Sequence, residues 1–473
     1  MENSVSREAS IFPSIGRSVH LHRQPCGLLA RVAPLPGKGF QPEIYELNDT
    51  ASYLLLLCDG ITSYEAILNR ISQTVIHDES NPVRVAGALF VDLARKRILE
   101  FHDTPAATEY TITGSEKYYS PSHFAIELTS ECNLRCSHCY RECEPGKGSR
   151  LPTDRLLSIM ASLALHGVTS LELTGGEPTM HPDFFEILDL ACCSFTNIAV
   201  LSNGWLLDEA FVSRMANRVN PPFIQIDLDG SDASTHDRLR GVPGSFNNAL
   251  RAIGALKKYG LRVRAAMNVH KDNLMQLEAT LDLARSAGAD WFAVSPLMVV
   301  GRGRSMEPLD AEEYAFLSAA ADSFSARYPD FFFVSKEIEG RINGSITNCG
   351  AGSRAMVLGS NGIVRPCLLL DDRFMKMGDL TQVDYPAFLA SSNTELFYSI
   401  QSPNVHVCEE CEHLTFCLGC FVGPVQMAIL SREIGREFTC KWAERYPFFR
   451  NAFKFEVEGE KLGERSYERG DED

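Results

Sequence analysis

Several things are missing from this sequence, and each absence narrows its role. No run of about 18 or more apolar residues occurs, so no membrane span is expected. The opening residues, MENSVSREASIFPSIGRSVHLHR, lack the apolar stretch a secretory signal needs. Positive charge is in deficit: 45 Lys and Arg against 61 Asp and Glu leave a formal net charge of −16. Nucleic acid and anionic membranes both select clustered cations, so neither is an expected partner. No internal repeat is visible beyond an alternation of strand and helix patterns. A cytoplasmic protein is expected.

Cysteine, by contrast, is plentiful. There are 15 in 473 residues, and most fall in two clusters. Disulfides are rare in a reducing compartment. Clustered thiols there point to metal, and all-thiolate groups suit zinc or iron–sulfur. Cys26, Cys58, Cys192 and Cys193 stand outside the clusters, in strand or helix patterns, and are expected to be buried structural thiols.

Six regions follow from the pattern, of α/β class as a whole. Residues 1–23 are expected to be a flexible N-terminus. Residues 24–103 hold two strand-like stretches, 24–37 and 41–47, and three helix-like ones, a small winged-helix-like α+β domain. Residues 104–121 are expected to be a linker. Over 122–335, the strand-like runs HFAIELT, SLELTGG, NIAVLSNG, FIQIDLDG, LRVRAAMNV and WFAVSPL alternate with helical patterns at 153–166, 182–192, 208–218, 246–259 and 273–287. Such alternation predicts a parallel sheet, closed or partly closed as a (β/α)6 barrel, with functional groups at the C-terminal strand ends. Residues 336–445 are cysteine-rich with little periodicity, as in a metal-stapled domain. Residues 446–473 read as a polar tail.

The stretch SECNLRCSHCYREC directly follows the first barrel strand. Cys132, Cys136 and Cys139 lie in a C-x3-C-x2-C spacing, with Cys143 beyond. Three thiolates on a cubic 4Fe–4S cluster leave one iron for a small chelating ligand. Zinc is the competing reading. LTGGEP ends the second strand, LSNGW the third and IDLDGSDASTHDRLRG the fourth.

These four motifs in this order resemble the radical S-adenosylmethionine (SAM) superfamily. The resemblance implies that the open iron binds SAM and that reductive cleavage yields a 5′-deoxyadenosyl radical that takes hydrogen from substrate. It implies SAM contacts at His138, Gly175, Gly176, Glu177, Ser202, Asn203, Asp227 and Arg240. His138 stands where an aromatic residue is usual. Cys143 is expected not to ligate, since a fourth thiolate would exclude SAM, and to lie in a loop toward the barrel rim.

The second cluster comprises Cys349, Cys367, Cys408, Cys411, Cys417, Cys420 and Cys440. It resembles the SPASM extension, with a one-residue departure in its last close pair. The resemblance implies two auxiliary 4Fe–4S clusters, one on Cys349, Cys367 and Cys420, the other on Cys408, Cys411, Cys417 and Cys440. Three clusters in all are implied, and the fourth ligand of the first auxiliary one is unassigned. A pair of zinc sites is the alternative.

YELNDTASYLLLLCDGITSYEAILNRIS resembles the PqqD-like (RRE) leader-binding module of peptide-modifying systems. With the other two resemblances, it implies a radical SAM/SPASM maturase of a ribosomally synthesised peptide. That enzyme would form a thioether or carbon–carbon crosslink, draw electrons from flavodoxin or ferredoxin, and bind its precursor through the leader. Three alternatives stand beside it. One is a SPASM enzyme acting on a tetrapyrrole or small metabolite. Another is a sulfatase-type maturase, disfavoured because Leu368 rather than an Asp follows Cys367. The third is a non-catalytic peptide-binding or electron-transfer protein. No catalytic acid or base is identifiable in the sequence.

Overall fold

The computed structural model describes residues 10–33, 35, 43–74, 82–332, 341, 344, 346–370, 372, 375–411, 414–417, 419–425, 440–446, 456–457 and 460–461. The chain divides into two compact units, Met1–Ser120 and Pro121–Asp473.

The first unit contains strands β1 (Phe12–Ile15), β2 (Val19–Gln24), β3 (Gly27–Val32) and β4 (Glu43–Leu47). Helices α1 (Asp49–Leu56), α2 (Tyr64–Thr74) and α3 (Pro82–Arg95) follow, then β5 (Leu99–His102) and β6 (Ile112–Gly114). Asn48 caps α1 by accepting from Ala51 N, as Asn at an N-cap does. The sheet runs β4-β3-β2-β6, and β1 pairs with β5. Leu21, Ala30, Leu55, Phe90, Leu93 and Leu99 share one core between sheet and helices.

Two expectations are corrected here. Residues 12–23 are not a flexible leader, since they form β1 and most of β2. The expected linker contributes β6, which pairs in parallel with β2. Polar residues hid both. His22 is wholly buried, its ring bonding Thr113 Oγ1 at 2.9 Å and Ser120 O at 2.8 Å. A buried histidine with both nitrogens satisfied costs little, yet reads as surface in a hydropathy pattern.

The second unit is built on six parallel strands: β7 (His123–Glu127), β8 (Ser170–Thr174), β9 (Asn197–Ser202), β10 (Phe223–Asp227), β11 (Val263–Val269) and β12 (Trp291–Pro296). They pair in chain order. The edges β7 and β12 are not paired with each other, so the barrel is open. Along β11, buried and half-buried positions alternate with period two, as a strand covered on one face requires. Helices α4 (Thr153–Leu165), α5 (Phe184–Ser194), α6 (Glu209–Ala216), α7 (Ala233–Arg240), α8 (Ser245–Lys258) and α9 (Leu277–Ser286) fill the crossovers. This is the partial (β/α)6 barrel the sequence predicts.

The cysteine-rich region is less separate than its composition implies. Strand β13 (Ala355–Leu358) joins β7 in parallel, and β14 (Ile363–Arg365) and β15 (Gly378–Asp379) extend the same sheet to nine strands. Of the tail, only short pieces are described, with Glu456–Val457 paired to Glu460–Lys461. Cys58 and Cys192 are buried as expected, but Cys26 and Cys193 are exposed. Cys26 lies in the turn between β2 and β3, and Cys193 on the outer side of α5. No helix among the described residues is long and apolar enough to cross a membrane.

Candidate cysteine-cluster site

The chain leaves β7 directly into the cysteine loop. Cys132, Cys136 and Cys143 are nearly buried and pack with Leu134, Cys139, Trp205 and Val242. The loop's backbone is held from two sides. Arg135 N donates to Arg240 O at 3.2 Å and Ser137 N to Leu239 O at 2.8 Å, fixing the loop to the end of α7. On the other side, Arg302 N donates to Cys139 O at 3.0 Å. The Arg302 guanidinium donates to Cys136 O at 2.8 Å and Cys143 O at 2.9 Å. One arginine thus holds three carbonyls of the loop.

The paired glycines after β8 serve the same loop. Gly176 N donates to Thr129 O at 2.7 Å, and Glu177 N to Glu131 O at 2.9 Å. A Cβ at Gly176 would lie 2.1 Å from Glu131 O. The close approach that demands glycine here comes from the chain's own cysteine loop. Glu177 is buried and accepts from Ser202 Oγ at 2.8 Å and Asn203 N at 2.8 Å, besides Thr179. Burial nonetheless pushes its carboxyl above the ordinary range. Its carboxylate therefore staples the end of β8 to that of β9. Asn203 Nδ2 in turn donates to Asn133 Oδ1 at 2.8 Å and points at Cys132 Sγ at 3.9 Å.

Arg240, the last residue of α7, is buried among acids. Its Nη1 lies 3.1 Å from Asp227 and 3.7 Å from Cys136 Sγ, and its Nη2 2.7 Å from Asp229. Burial works against its charge, but the two carboxylates keep it protonated well above its ordinary range. Burial raises the carboxyl of Asp227. Burial pushes Asp229 upward too, yet the Arg240 charge and the hydrogen bond from Asn268 N work against it, and Asp229 stays below the usual range. His138 Nε2 stands 3.5 Å from Asp229, and burial takes that imidazole down to about 4, so it is neutral. Arg240 thus has protein partners on both sides of its fork, which a SAM carboxylate would have to share.

Cys143 departs from expectation. It is 5% exposed and lies inside the cysteine group, not toward the rim. A hydrogen bond from its thiol brings Cys139 down to about 6, and the same contact raises Cys143. Burial and the Glu177 charge push Cys132 up to about 12, and burial raises Cys136. Buried thiols of this kind release protons only to a metal.

Among the described residues no three His, Cys, Asp or Glu side chains are arranged to hold a single metal ion. A cubic cluster instead spreads its thiolates over several irons. Asn133 Nδ2, His138 Nδ1 and Arg240 Nε are buried without a hydrogen-bond partner beside the loop. Gathered thiols, N–H groups aimed at Cys132 and Cys136, and unpartnered polar atoms alongside fit a thiolate-held cluster with a polar ligand.

Cys367 feels the charges of Cys420 and Cys349, and Cys417 those of Cys440, Cys408, Cys411 and Cys420, so Cys420 lies near both sets of thiols. Burial pushes Cys367 up to about 12. Cys349 is exposed. Cys367, Cys408, Cys411, Cys420 and Cys440 pack with Phe421, Val422, Val425 and Trp442 in one apolar cluster.

Sequence reasoning missed Asp229, His236, Asn268 and Arg302. Asp229 was the most accessible of these, standing two residues past Asp227 in IDLDG and so on the same side of an extended chain. It accepts from Asn268 N at 2.8 Å, and its own N–H donates to His236 Nδ1 at 3.1 Å. No local pattern marks Arg302.

Comparison with known proteins agrees with this geometry. The radical SAM superfamily model matches residues 126–284, and the SPASM iron–sulfur cluster-binding domain model matches residues 349–412. The antilisterial bacteriocin subtilosin biosynthesis protein AlbA of Bacillus subtilis is 28% identical over 447 residues, 92% of this chain and 96% of that protein. An AdoMet-dependent heme synthase of Methanosarcina barkeri is 27% identical over 324 residues, 64% of this chain and 91% of the synthase. The fold matches Streptococcus suis SuiB bound to its precursor peptide SuiA with a TM-score of 0.59 at 18% identity, over 88% of this chain and 97% of that one.

Proposed function

The chain is a radical SAM enzyme with a C-terminal SPASM domain, and from that premise we propose that it modifies a ribosomally synthesised precursor peptide. The observation that carries this reading is the extent of the likeness to AlbA, which runs over 92% of this chain. The heme synthase likeness spans 64% and leaves a third of the chain unaccounted for.

Residues 12–114, which carry β1 to β6 and the three helices between them, are assigned as the leader-binding domain. Strand β4 is an edge of its sheet, and Glu43, Ile44 and Glu46 on it are exposed. An extended leader would add to such an edge through main-chain hydrogen bonds, with alternate side chains giving specificity. Residues 122–335 are assigned as the catalytic barrel and 336–445 as the auxiliary-cluster domain.

The SAM-binding 4Fe–4S cluster is assigned to Cys132, Cys136 and Cys139. The first auxiliary cluster is assigned to Cys349, Cys367 and Cys420, and the second to Cys408, Cys411, Cys417 and Cys440. When bound, reduced cluster and SAM supply a hydrogen-abstracting adenosyl radical. The protein's part is to hold and orient. Arg302 and the glycine pair fix the loop, Asn203 and Arg240 present N–H groups to its sulfurs, and His138, Ser202 and Asp227 complete the polar surround. Product is assigned as a thioether or carbon–carbon crosslink, with electrons from a flavodoxin or ferredoxin.

A tetrapyrrole or small-metabolite substrate is the second reading, favoured by the heme synthase likeness. Titrating the full-length protein with a fluorescent leader peptide separates the two. Saturable binding weakened at least tenfold by Ile44→Asp is expected of the peptide enzyme. Absence of binding to any leader encoded beside its gene would favour the metabolite.

A further inference from the structure

Glu127 closes β7, is 2% exposed, and has no part in the cofactor reading above. Its Oε1 lies 2.6 Å from Arg365 Nη2 and 3.3 Å from Arg141 Nε. The Arg365 side chain is 1% exposed and that of Arg141 13%. One buried carboxylate therefore faces two largely buried guanidiniums. Glu127 Oε1 and Arg365 Nη2 lack aligned hydrogen bonds, so the contact between them is chiefly one of charge.

The positions of the three matter most. Arg141 is two residues past Cys139, in the loop of the SAM-binding cluster. Arg365 is two residues before Cys367, in the loop of the first auxiliary cluster. Arg365 Nη1 also donates to Leu370 O at 2.8 Å, and Leu370 N donates to Cys367 O at 3.2 Å, so this arginine closes the turn that Cys367 opens. Both arginines meet the Glu127 carboxylate. Fold stability does not account for such a group, because desolvating buried ions offsets most of their attraction, and apolar residues of the same volume stabilise about as well.

We propose that Glu127 is a positioning residue that ties the SAM-binding cluster's loop to the first auxiliary cluster's loop and sets the electrostatic potential at both. This rests on the cluster assignments under Proposed function. Reduction makes each cluster more negative. Removing the Glu127 charge leaves two buried cations near both loops, which favours the reduced forms, since charges in a low-dielectric interior act over longer distances than in water. Both reduction potentials should then rise together. Removing Arg141 should act in the opposite direction on the cluster nearer to it.

The test is a redox titration followed by electron paramagnetic resonance, with iron counted per chain, on full-length reconstituted protein. Glu127→Gln is expected to keep the iron of the unsubstituted protein and raise the potentials of both clusters. Glu127→Asp, which retains the charge, should return both partway. Arg141→Gln should lower the potential of the SAM-binding cluster. Glu127→Gln with full iron and either potential unmoved overturns the proposal. Should Glu127→Gln fail to fold, Arg141→Gln carries the test, and an unmoved SAM-cluster potential overturns it. Unsubstituted protein without any auxiliary-cluster signal would remove the premise and the proposal with it, a failure visible before any variant is made.

Discussion

The two groups of cysteines are held in opposite ways. Around Cys132, Cys136 and Cys139 the protein supplies the shape: three carbonyls of the loop bond to Arg302, two of its N–H groups bond to the end of α7, and Gly176 packs against Glu131. Around Cys408, Cys411, Cys417, Cys420 and Cys440 the described structure offers short helices, Leu414–Cys417 and Lys441–Arg445, and a small apolar cluster. The first is a site prepared by a sheet. The second, among the described residues, is a set of short helices around an apolar cluster, as in small metal-stapled domains. A site that must present an open iron needs its shape set independently of the metal.

Stripping iron with a chelator should therefore have the largest effect, and an uneven one. Hydrogen exchange of the stripped protein should show residues 401–446 losing protection while β7–β15 keep theirs. Equal loss in both regions would erase the distinction.

Arg302→Ala should rank next. It removes two charge-assisted hydrogen bonds, worth about 2 kcal/mol each. About four of roughly twelve irons per chain should be lost, with the auxiliary clusters retained and SAM cleavage abolished. Arg302→Lys, a single point donor, should fall between. Loss of auxiliary iron instead would place Arg302 in the wrong region.

Cys143→Ala should matter less, although Cys143 lies within the group. Full iron and full SAM cleavage are expected, because its thiol is turned to Arg141 O at 3.8 Å rather than taking a place on iron. Loss of about four irons would make it a ligand.

Acid should act on stability alone. Burial takes His236 down to about 4 from 6.5. With the folded value depressed, its contribution is complete above the unfolded value and declines as pH falls from 6.5 toward 4. Barrel stability measured by urea melts should decline over that window by on the order of 2 kcal/mol for this group, and His236→Asn should flatten the decline. An unchanged slope in the variant would relieve His236 of this role.

How much of this was legible beforehand follows from the kind of signal each feature carries. The six barrel strands were readable because each is a short apolar run ending in a polar motif, and those motifs do fall at strand ends. The start of the chain was not readable. His20 and His22 give β2 a polar look, and its partner β6 lies some 90 residues on, at Ile112–Gly114. The reason for the glycine pair was also hidden. Close approach was foreseeable from two adjacent glycines, but that the visitor is Glu131 is a fact of packing. Arg302 and Glu127 have no local pattern. Each has at least one partner that the fold brings from more than 150 residues away, Cys136 for Arg302 and Arg365 for Glu127.

The central claim is that the cleavage chemistry of the barrel is spent on a peptide. It is tested most directly by mass spectrometry of the precursor encoded beside this gene, after incubation with reduced, reconstituted protein and SAM. 5′-Deoxyadenosine together with a peptide lighter by two hydrogens is expected, with both products lost in Cys132→Ala. 5′-Deoxyadenosine formed with every candidate peptide left intact would contradict it.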